Sequence, residues 1–264
     1  MNIVHKFFAE SLLVLGLVLG LALNAAPAAA QGSAINKDEL RRILREQPDI
    51  LLDVLRENGD VLLDILQQAS DNKRSLALRR QWTDDAKTPK TPSLDSRPSR
   101  GPEKAPITLV AFSDFTCSYC QNAAFTVETL LSRYPGQIRF VFKQVPAGDS
   151  GRLASQWFLA AYGLDQPKAW EFYAMLFDRQ GDLVSDPVTV LRELTREVGL
   201  DTKAVEAAVK SRGKEIDEIL NTDQAEAKEL GFHGTPYFLV NNLIIRGALP
   251  LENFVDAVEF ELGR

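Results

Sequence analysis

Two cysteines at the junction of a strand and a helix constrain this chain more than any other feature. The run ITLVAFSDF, residues 107–115, is apolar and rich in β-branched side chains, which predicts a buried strand. Cys117-Ser118-Tyr119-Cys120 follows at once. Beyond it Ala124, Val127, Leu130, Leu131 and Tyr134 recur at helical spacing. QIRFVFKQV, residues 137–145, then alternates Ile138, Phe140 and Phe142 and reads as a second strand. Strand, helix and strand in this order make a βαβ unit with a parallel pair, so the fold class is α/β.

These are the only cysteines in 264 residues, which excludes a disulfide framework and points to chemistry. Residues three apart on a helix share a face, with Cβ atoms about 5–6 Å apart. A small adjustment brings them to disulfide geometry, about 3.5–4.5 Å. Cys117 falls at the helix start, where free N–H groups and the helix dipole favour a thiolate. A lowered pKa makes it the nucleophile and the better leaving group. Cys120, one turn inside, is expected to be the buried, resolving thiol. Three other readings compete. A structural disulfide closing so short a loop adds little stability. A zinc site wants four ligands, and beyond residue 30 the chain has one histidine, His233. Two thiolates suit Cu(I), but the chain is poor in Met and His. No metal and no cofactor is assigned.

The N-terminus speaks to compartment. His5 and Lys6 precede an apolar run over residues 12–23, and Ala28-Ala29-Ala30 follows as a small-residue cleavage pattern. Residues 1–30 read as a cleaved signal peptide, the run being short of the roughly 20 residues that span a bilayer. The expected location is the periplasm, where disulfides persist. A net charge of −6 argues against nucleic acid as a partner.

Residues 31–85 read as a helical segment. Asn36 and Glu39 form a capping box, Ile35 and Leu40 a hydrophobic staple, and Pro48 suits a first helical position after a break. Residues 86–104, with Pro89, Pro92, Pro98 and Pro102, read as a linker with a short strand near its end. Residues 105–264 are expected to be a catalytic domain complete without residues 31–90. Within it, helices are expected at 152–162, 168–179, 187–198, 202–211 and 215–230. PYFLV and LIIRG then pair as strands turning at Asn241-Asn242, and LENFVDAVEFEL closes as a helix.

The helical segment repeats itself. Residues 49–55, DILLDVL, return eleven residues later as DVLLDIL, residues 60–66. Eleven residues make three turns at 3.67 per turn, so both copies fall on nearly one face. Leu51, Leu55, Leu62 and Leu66 lie along that stripe with Val54, Ile65 and Ala69, while Asp53, Arg56, Glu57 and Asp64 lie opposite. Asn58-Gly59 between the copies weakens the helix by roughly 1 kcal/mol. So heavy an apolar face needs a partner: a second copy of the chain, or the chain's own domain.

FSDFTCSYC, GTPYF and the helical stretch between them resemble, in that order, the DsbA-like branch of the thioredoxin superfamily. The resemblance covers residues 107–262. It implies a thioredoxin fold with a helical insertion at about 150–230. It implies Cys117 as the attacking and Cys120 as the resolving cysteine, with a cis Thr235-Pro236 bond packed against them. Ser118, Tyr119, Thr235 and Pro236 would then contact the substrate. A cis X–Pro bond costs only about 0.5–1 kcal/mol, though a plain loop proline is the other reading. This chain departs from the family's strongest oxidants in having Ser118-Tyr119 where they have Pro-His, so a less oxidising pair is expected. A threonine before the proline resembles the isomerases. Asp114 and Lys143, near strand ends close to the motif, read as solvated charges, with tuning of the cysteine pKa the other reading, and His233 as a loop residue without chemistry.

ILREQPDILLDVL, residues 43–55, resembles the N-terminal segment of the ScsC-type proteins, which implies a homo-oligomer, a trimer above all. The implied function is a periplasmic disulfide isomerase, acting on unfolded or misoxidised secreted proteins and served by a membrane redox partner protein. A monomeric dithiol oxidase, or a copper-binding or holdase module using the same thiols, are the alternatives.

Overall fold

The computed structural model describes residues 36–263. The expected signal peptide, and Ile35 of the staple, lie outside them. The chain divides into two units, residues 1–63 and 64–264.

The described part of the first unit is helical: α1 (Lys37–Glu46), α2 (Pro48–Glu57) and the first turn of α3 (Gly59–Asp85). Asn36 caps α1, its Oδ1 accepting the Asp38 and Glu39 N–H groups at 3.1 and 2.8 Å. The Glu39 carboxylate pairs with Arg42 at 2.6 Å. Pro48 opens α2, and the break between the two leucine copies falls at Asn58. Neither α1 nor α2 has a buried residue. Ile50, Leu51, Leu52, Val54, Val61 and Leu63 are all exposed, and Leu55 and Leu62 are half-buried.

The second unit is built on a five-stranded sheet of order β1-β3-β2-β4-β5. The strands are β1 (Ser99–Arg100), β2 (Ile107–Ser113), β3 (Ile138–Gln144), β4 (Tyr237–Val240) and β5 (Leu243–Arg246). β2 and β3 run parallel, in register from Ile107 opposite Ile138 to Ser113 opposite Gln144, and the other pairs are antiparallel. The helix between them is α4 (Ser118–Arg133). Asn241, at a φ of 50°, makes the turn from β4 to β5. The fold is the thioredoxin-like α/β fold expected, with a helical insertion.

That insertion holds six helices: α5 (Asp149–Leu164), α6 (Gln166–Asp178), α7 (Gln180–Ser185), α8 (Pro187–Glu197), α9 (Thr202–Ser211) and α10 (Gly213–Glu229). Aspartates start three of them. Asp165, Asp186 and Asp201 accept N–H groups of the first turns of α6, α8 and α9, and a proline follows the first two. α7 is the helix that periodicity missed, since six residues are too few to show a period. α11 (Leu251–Leu262) closes the chain. Among the described residues no helix is long and apolar enough to cross a membrane.

Strand alternation sorts the core into two clusters. Leu109, Ala111, Phe140 and Phe142 pack with Cys120, Val127 and Leu130 of α4 and with the insertion. Val110, Phe112 and Val141 pack on the other side with Ala227 and Phe232.

Two expectations need correction here. The proline-rich stretch is not a spacer. Trp82 is fully buried, and its indole N–H donates to the Ile244 carbonyl at 3.2 Å. Gln81 donates to the same oxygen at 3.1 Å, and the Asp85 carboxylate accepts the Ile244 N–H at 3.1 Å. Further on, the Lys90 N–H donates to Asn242 Oδ1, the Ser93 N–H to Glu226, and Ser99–Arg100 adds to the sheet beside β3. Ser99 also exchanges hydrogen bonds with the Tyr162 hydroxyl, through its N–H and its carbonyl, both at 3.1 Å. Prolines mark absent helix, not absent anchoring, and one tryptophan among polar neighbours carries no periodic signal.

Nor is Lys143 a solvated charge. It is fully buried on the Phe112 side, its Nζ 5.6 Å from that ring's centroid. It donates to the Ser93 carbonyl at 2.7 Å and pairs with Asp223 at 2.9 Å and with Glu226. Arg97 reaches the same Asp223 oxygen at 2.9 Å. Burial pushes the Asp223 carboxyl up, and Lys143 and Arg97 pull against it. Lys143 thus lies on the side of the sheet opposite Cys120 and anchors the strap formed by residues 86–98.

Asp223→Ala takes from buried Arg97 its only carboxylate among the described residues and leaves Lys143 with Glu226, and is expected to cost about 3–5 kcal/mol in urea unfolding. Trp82→Ala is expected to cost about 3–5 kcal/mol. A chain starting at residue 64 should therefore unfold cooperatively, whereas one starting at 91 should not. Circular dichroism of the two truncations checks this.

Candidate active site

β2 delivers the chain to the cysteines through the loop Asp114-Phe115-Thr116. Asp114 is buried and holds the loop shut. Its Oδ1 accepts the Thr116 N–H and hydroxyl, each at 2.9 Å, and its Oδ2 accepts the Ala147 N–H at 3.0 Å. This second charge expected to be solvated is thus an internal brace. Gly151 of α5 must be glycine for the same reason, since a Cβ there would lie 2.5 Å from Asp114 Oδ1. Phe115 is fully buried, and its ring meets Phe142, Phe158, Tyr173 and Phe177 at centroid distances of 5.3, 5.5, 5.9 and 5.0 Å. Three of those rings belong to the insertion, so it grips the loop directly.

Cys117 is the N-cap of α4, with extended backbone at φ −90°. Its carbonyl accepts the Cys120 and Gln121 N–H groups at 2.9 and 3.1 Å. Cys117 is half-buried and Cys120 is buried, and both are free thiols. Across the site, Cys117 Sγ lies 3.4 Å from the Thr235 carbonyl oxygen. The Thr235-Pro236 bond is cis. The fold therefore joins residues 118 positions apart in the chain.

The electrostatics are lopsided. Cys117 is pulled down to about 5, chiefly by a hydrogen bond from the Cys120 thiol. Burial opposes this, and the Thr235 side chain with the Cys120 and Tyr119 backbone N–H groups supports it. Burial pushes Cys120 far up, and its hydrogen bond to Cys117 pushes it further. Ser113, Thr235 and the Asp114 backbone offset part of that rise. One sulfur is thus a thiolate at neutral pH and the other holds its proton.

Ser118 and Tyr119 are exposed beside the sulfurs, Thr235 is half-buried and Pro236 is buried. His233 is exposed in the preceding loop. Leu51 and Leu55 lie on α2, and Leu62 and Leu66 on α3. Two glutamines were missed. Gln180, opening α7, donates through Nε2 to the Phe115 carbonyl at 2.7 Å and to the Cys117 carbonyl at 3.0 Å. Gln121 donates to the Phe177 carbonyl at 2.5 Å. Nothing in the sequence singles out either one. Ser113, the last residue of β2, was also read only as part of a strand.

The family model described as thioredoxin matches residues 94–259. A Na(+)/H(+) antiporter NhaA of Herminiimonas arsenicoxydans is 31% identical over 171 residues, covering 65% of this chain and 26% of the antiporter. The chain thus spans about a quarter of the length of that relative. Disulfide bond formation protein D of Bacillus subtilis is 25% identical over 182 residues, covering 65% of this chain and 79% of that protein. Among solved structures, the thiol-disulfide exchange protein alpha-DsbA2 of Wolbachia pipientis shares the fold with a TM-score of 0.56 and 19% identity. That match covers 72% of this chain and 97% of the other.

Alkylation of the reduced protein should follow the lopsided pair. The rate with iodoacetamide is expected to rise with pH around a midpoint near 5 and then level off, modifying one thiol. An ordinary cysteine has its midpoint about 8.5. Mass spectrometry should find the label on Cys117 and not on Cys120. Equal labelling of both, or a midpoint above 8, would remove the assignment of roles.

Proposed function

The chain belongs to the thioredoxin family, and from that membership we propose that it is a periplasmic thiol-disulfide oxidoreductase acting as an oligomeric disulfide isomerase. The observation that carries the redox reading is the opposed ionisation of the two thiols beside the Thr235 loop. The Cys117 thiolate attacks a client disulfide. A bond forms between Cys117 Sγ and one client sulfur, and the other client sulfur leaves as a thiolate. If a client thiolate then attacks the mixed disulfide, Cys117 is released as it began and the client's pairing has changed without net redox. If instead Cys120 gives up its proton and attacks Cys117 Sγ, the client leaves as a dithiol and the enzyme takes the disulfide. Run backwards, that second route oxidises a client dithiol. A membrane redox partner would then reset the pair.

Thr235, Pro236, Ser118 and Tyr119 are the residues proposed to meet the client. The isomerase reading adds assembly. Apolar side chains left exposed on α2, with Leu66 exposed on α3, support a surface that a second copy covers, and a trimer is favoured by the resemblance of residues 43–55. Burying Leu51, Leu55, Leu62 and Leu66 is worth on the order of 6–12 kcal/mol per chain before ordering costs. Several tethered sites raise the effective concentration of attacking thiolate around one client. The low Cys117 pKa fits dithiol oxidation equally, because it stabilises the reduced enzyme. Monomeric oxidation is therefore the second reading.

Recovery of a scrambled multi-disulfide protein, run beside light scattering on the same sample, separates the two. The isomerase reading expects an oligomer with high recovery. Leu55→Asp or Leu62→Asp should give monomers that lose recovery and keep dithiol oxidation, and Asp53→Ala should change neither. A monomer at every concentration would leave only the oxidase. Cys120→Ser should accumulate mixed disulfides with clients, seen as reductant-sensitive bands, and Cys117→Ser should form none.

A further inference from the structure

Thiol exchange as described uses two sulfurs and the Thr235 loop. It gives no role to a buried amide that reaches the same backbone from the insertion. Gln180 is 7% exposed. Its Nε2 bridges the Phe115 and Cys117 carbonyls. The Cys117 carbonyl already accepts two N–H groups of its own helix, so Gln180 is a third donor on that oxygen. In return Gln121, on α4, donates to the Phe177 carbonyl near the end of α6, and the Phe177 ring lies against Phe115. The two glutamines cross in opposite directions between α4 and the α6–α7 junction.

We infer that Gln180 is a positioning residue that seats the attacking cysteine on the helical insertion and helps to keep its sulfur ionised. The inference rests on the proposed thiol exchange at Cys117. Two physical effects act together. A carbonyl oxygen beside a thiolate is the wrong end of a dipole, and an N–H drawn onto it cancels part of that repulsion. The effect is larger in a buried site than in water. The same bonds also hold residues 115–117 so that the first N–H groups of α4 stay aimed at Sγ. The nucleophile's reactivity is therefore set in part by where the insertion sits. Gln180 acts on the sulfur through the Cys117 backbone that it holds.

Three variants of the full chain test this. Gln180→Met keeps the length and volume and removes the donor. Gln180→Ala removes both. Gln180→Glu keeps the shape and presents a carboxylate to two carbonyls. The readouts are the pH profile of Cys117 alkylation and the equilibrium with glutathione, with thermal unfolding measured on each. All three are expected to move the alkylation midpoint upward, with Gln180→Glu moving it most. Gln180→Met should slow alkylation at pH 5 by about threefold to tenfold, since each unit of midpoint is a factor of ten. The rate at the plateau should hold, and the disulfide should become less oxidising. A Gln180→Met profile that overlays the wild type, with only Gln180→Ala altered, would reduce Gln180 to packing and overturn the inference. Should Gln180→Met not fold, a wild-type midpoint in Gln180→Glu would overturn it equally. A wild-type protein that itself has an ordinary thiol midpoint would instead sink the thiol-exchange reading on which the inference stands.

Discussion

The hydrogen bond between two sulfurs is where the chemistry of this chain begins. Cys120 keeps its proton because burial makes its anion costly, and the kept proton is what Cys117 uses to lose its own. Neither half works without the other. A buried Cys120 needs a helix placed against the sheet, and an open Cys117 needs that helix to start at the surface. The strand-to-helix junction supplies both, since only Ser118 and Tyr119 separate the half-buried N-cap from the first buried residue, Cys120. Thr235 then reaches both sulfurs from a loop brought in by β4.

The rest of the second unit can be read as support for that junction. Asp114 ties the loop to itself and to Ala147, and Phe115 fills the space between sheet and insertion. On the far side of the sheet, a lysine, an arginine and two acids join β3, α10 and the residues upstream of β1. A buried cluster of this kind is poor value as stabilisation compared with apolar packing, but removing one partner is severe. Its effect is to make the upstream strap part of the domain and not an attachment to it.

Much of this was legible in the sequence, and the gaps have physical causes. The βαβ unit, the placement of the two cysteines at its helix start and the β4–β5 turn followed from period, spacing and turn chemistry. The starts of α8 and α9 were read at the residue, where an aspartate cap and a proline or threonine mark them, while those of α5, α6 and α10 were read two or three residues late. Contacts with Thr235 came only through a family resemblance, because no local pattern joins residues so far apart. Lys143 was misread because its counter-charges, Asp223 and Glu226, lie about eighty residues away on α10. Trp82 was assigned to an appendage because its neighbours are polar. Gln180 was invisible for a different reason: a glutamine is ordinary on any helix, and its meaning here lies wholly in the two carbonyls it faces.

A sheet in a protein proposed to work among unfolded chains has two borders at which a stray strand could attach itself. Here side chains plug both. At β5 the outward N–H and carbonyl of Ile244 are taken by Asp85, Gln81 and Trp82. At β1, two residues long, the free groups of Ser99 are taken by the Tyr162 hydroxyl. An extended polypeptide that meets this molecule therefore finds Ile244 and Ser99 already engaged at the two borders. Helix α3 at one rim and the first helix of the insertion at the other thus stand where fibril-like growth would begin.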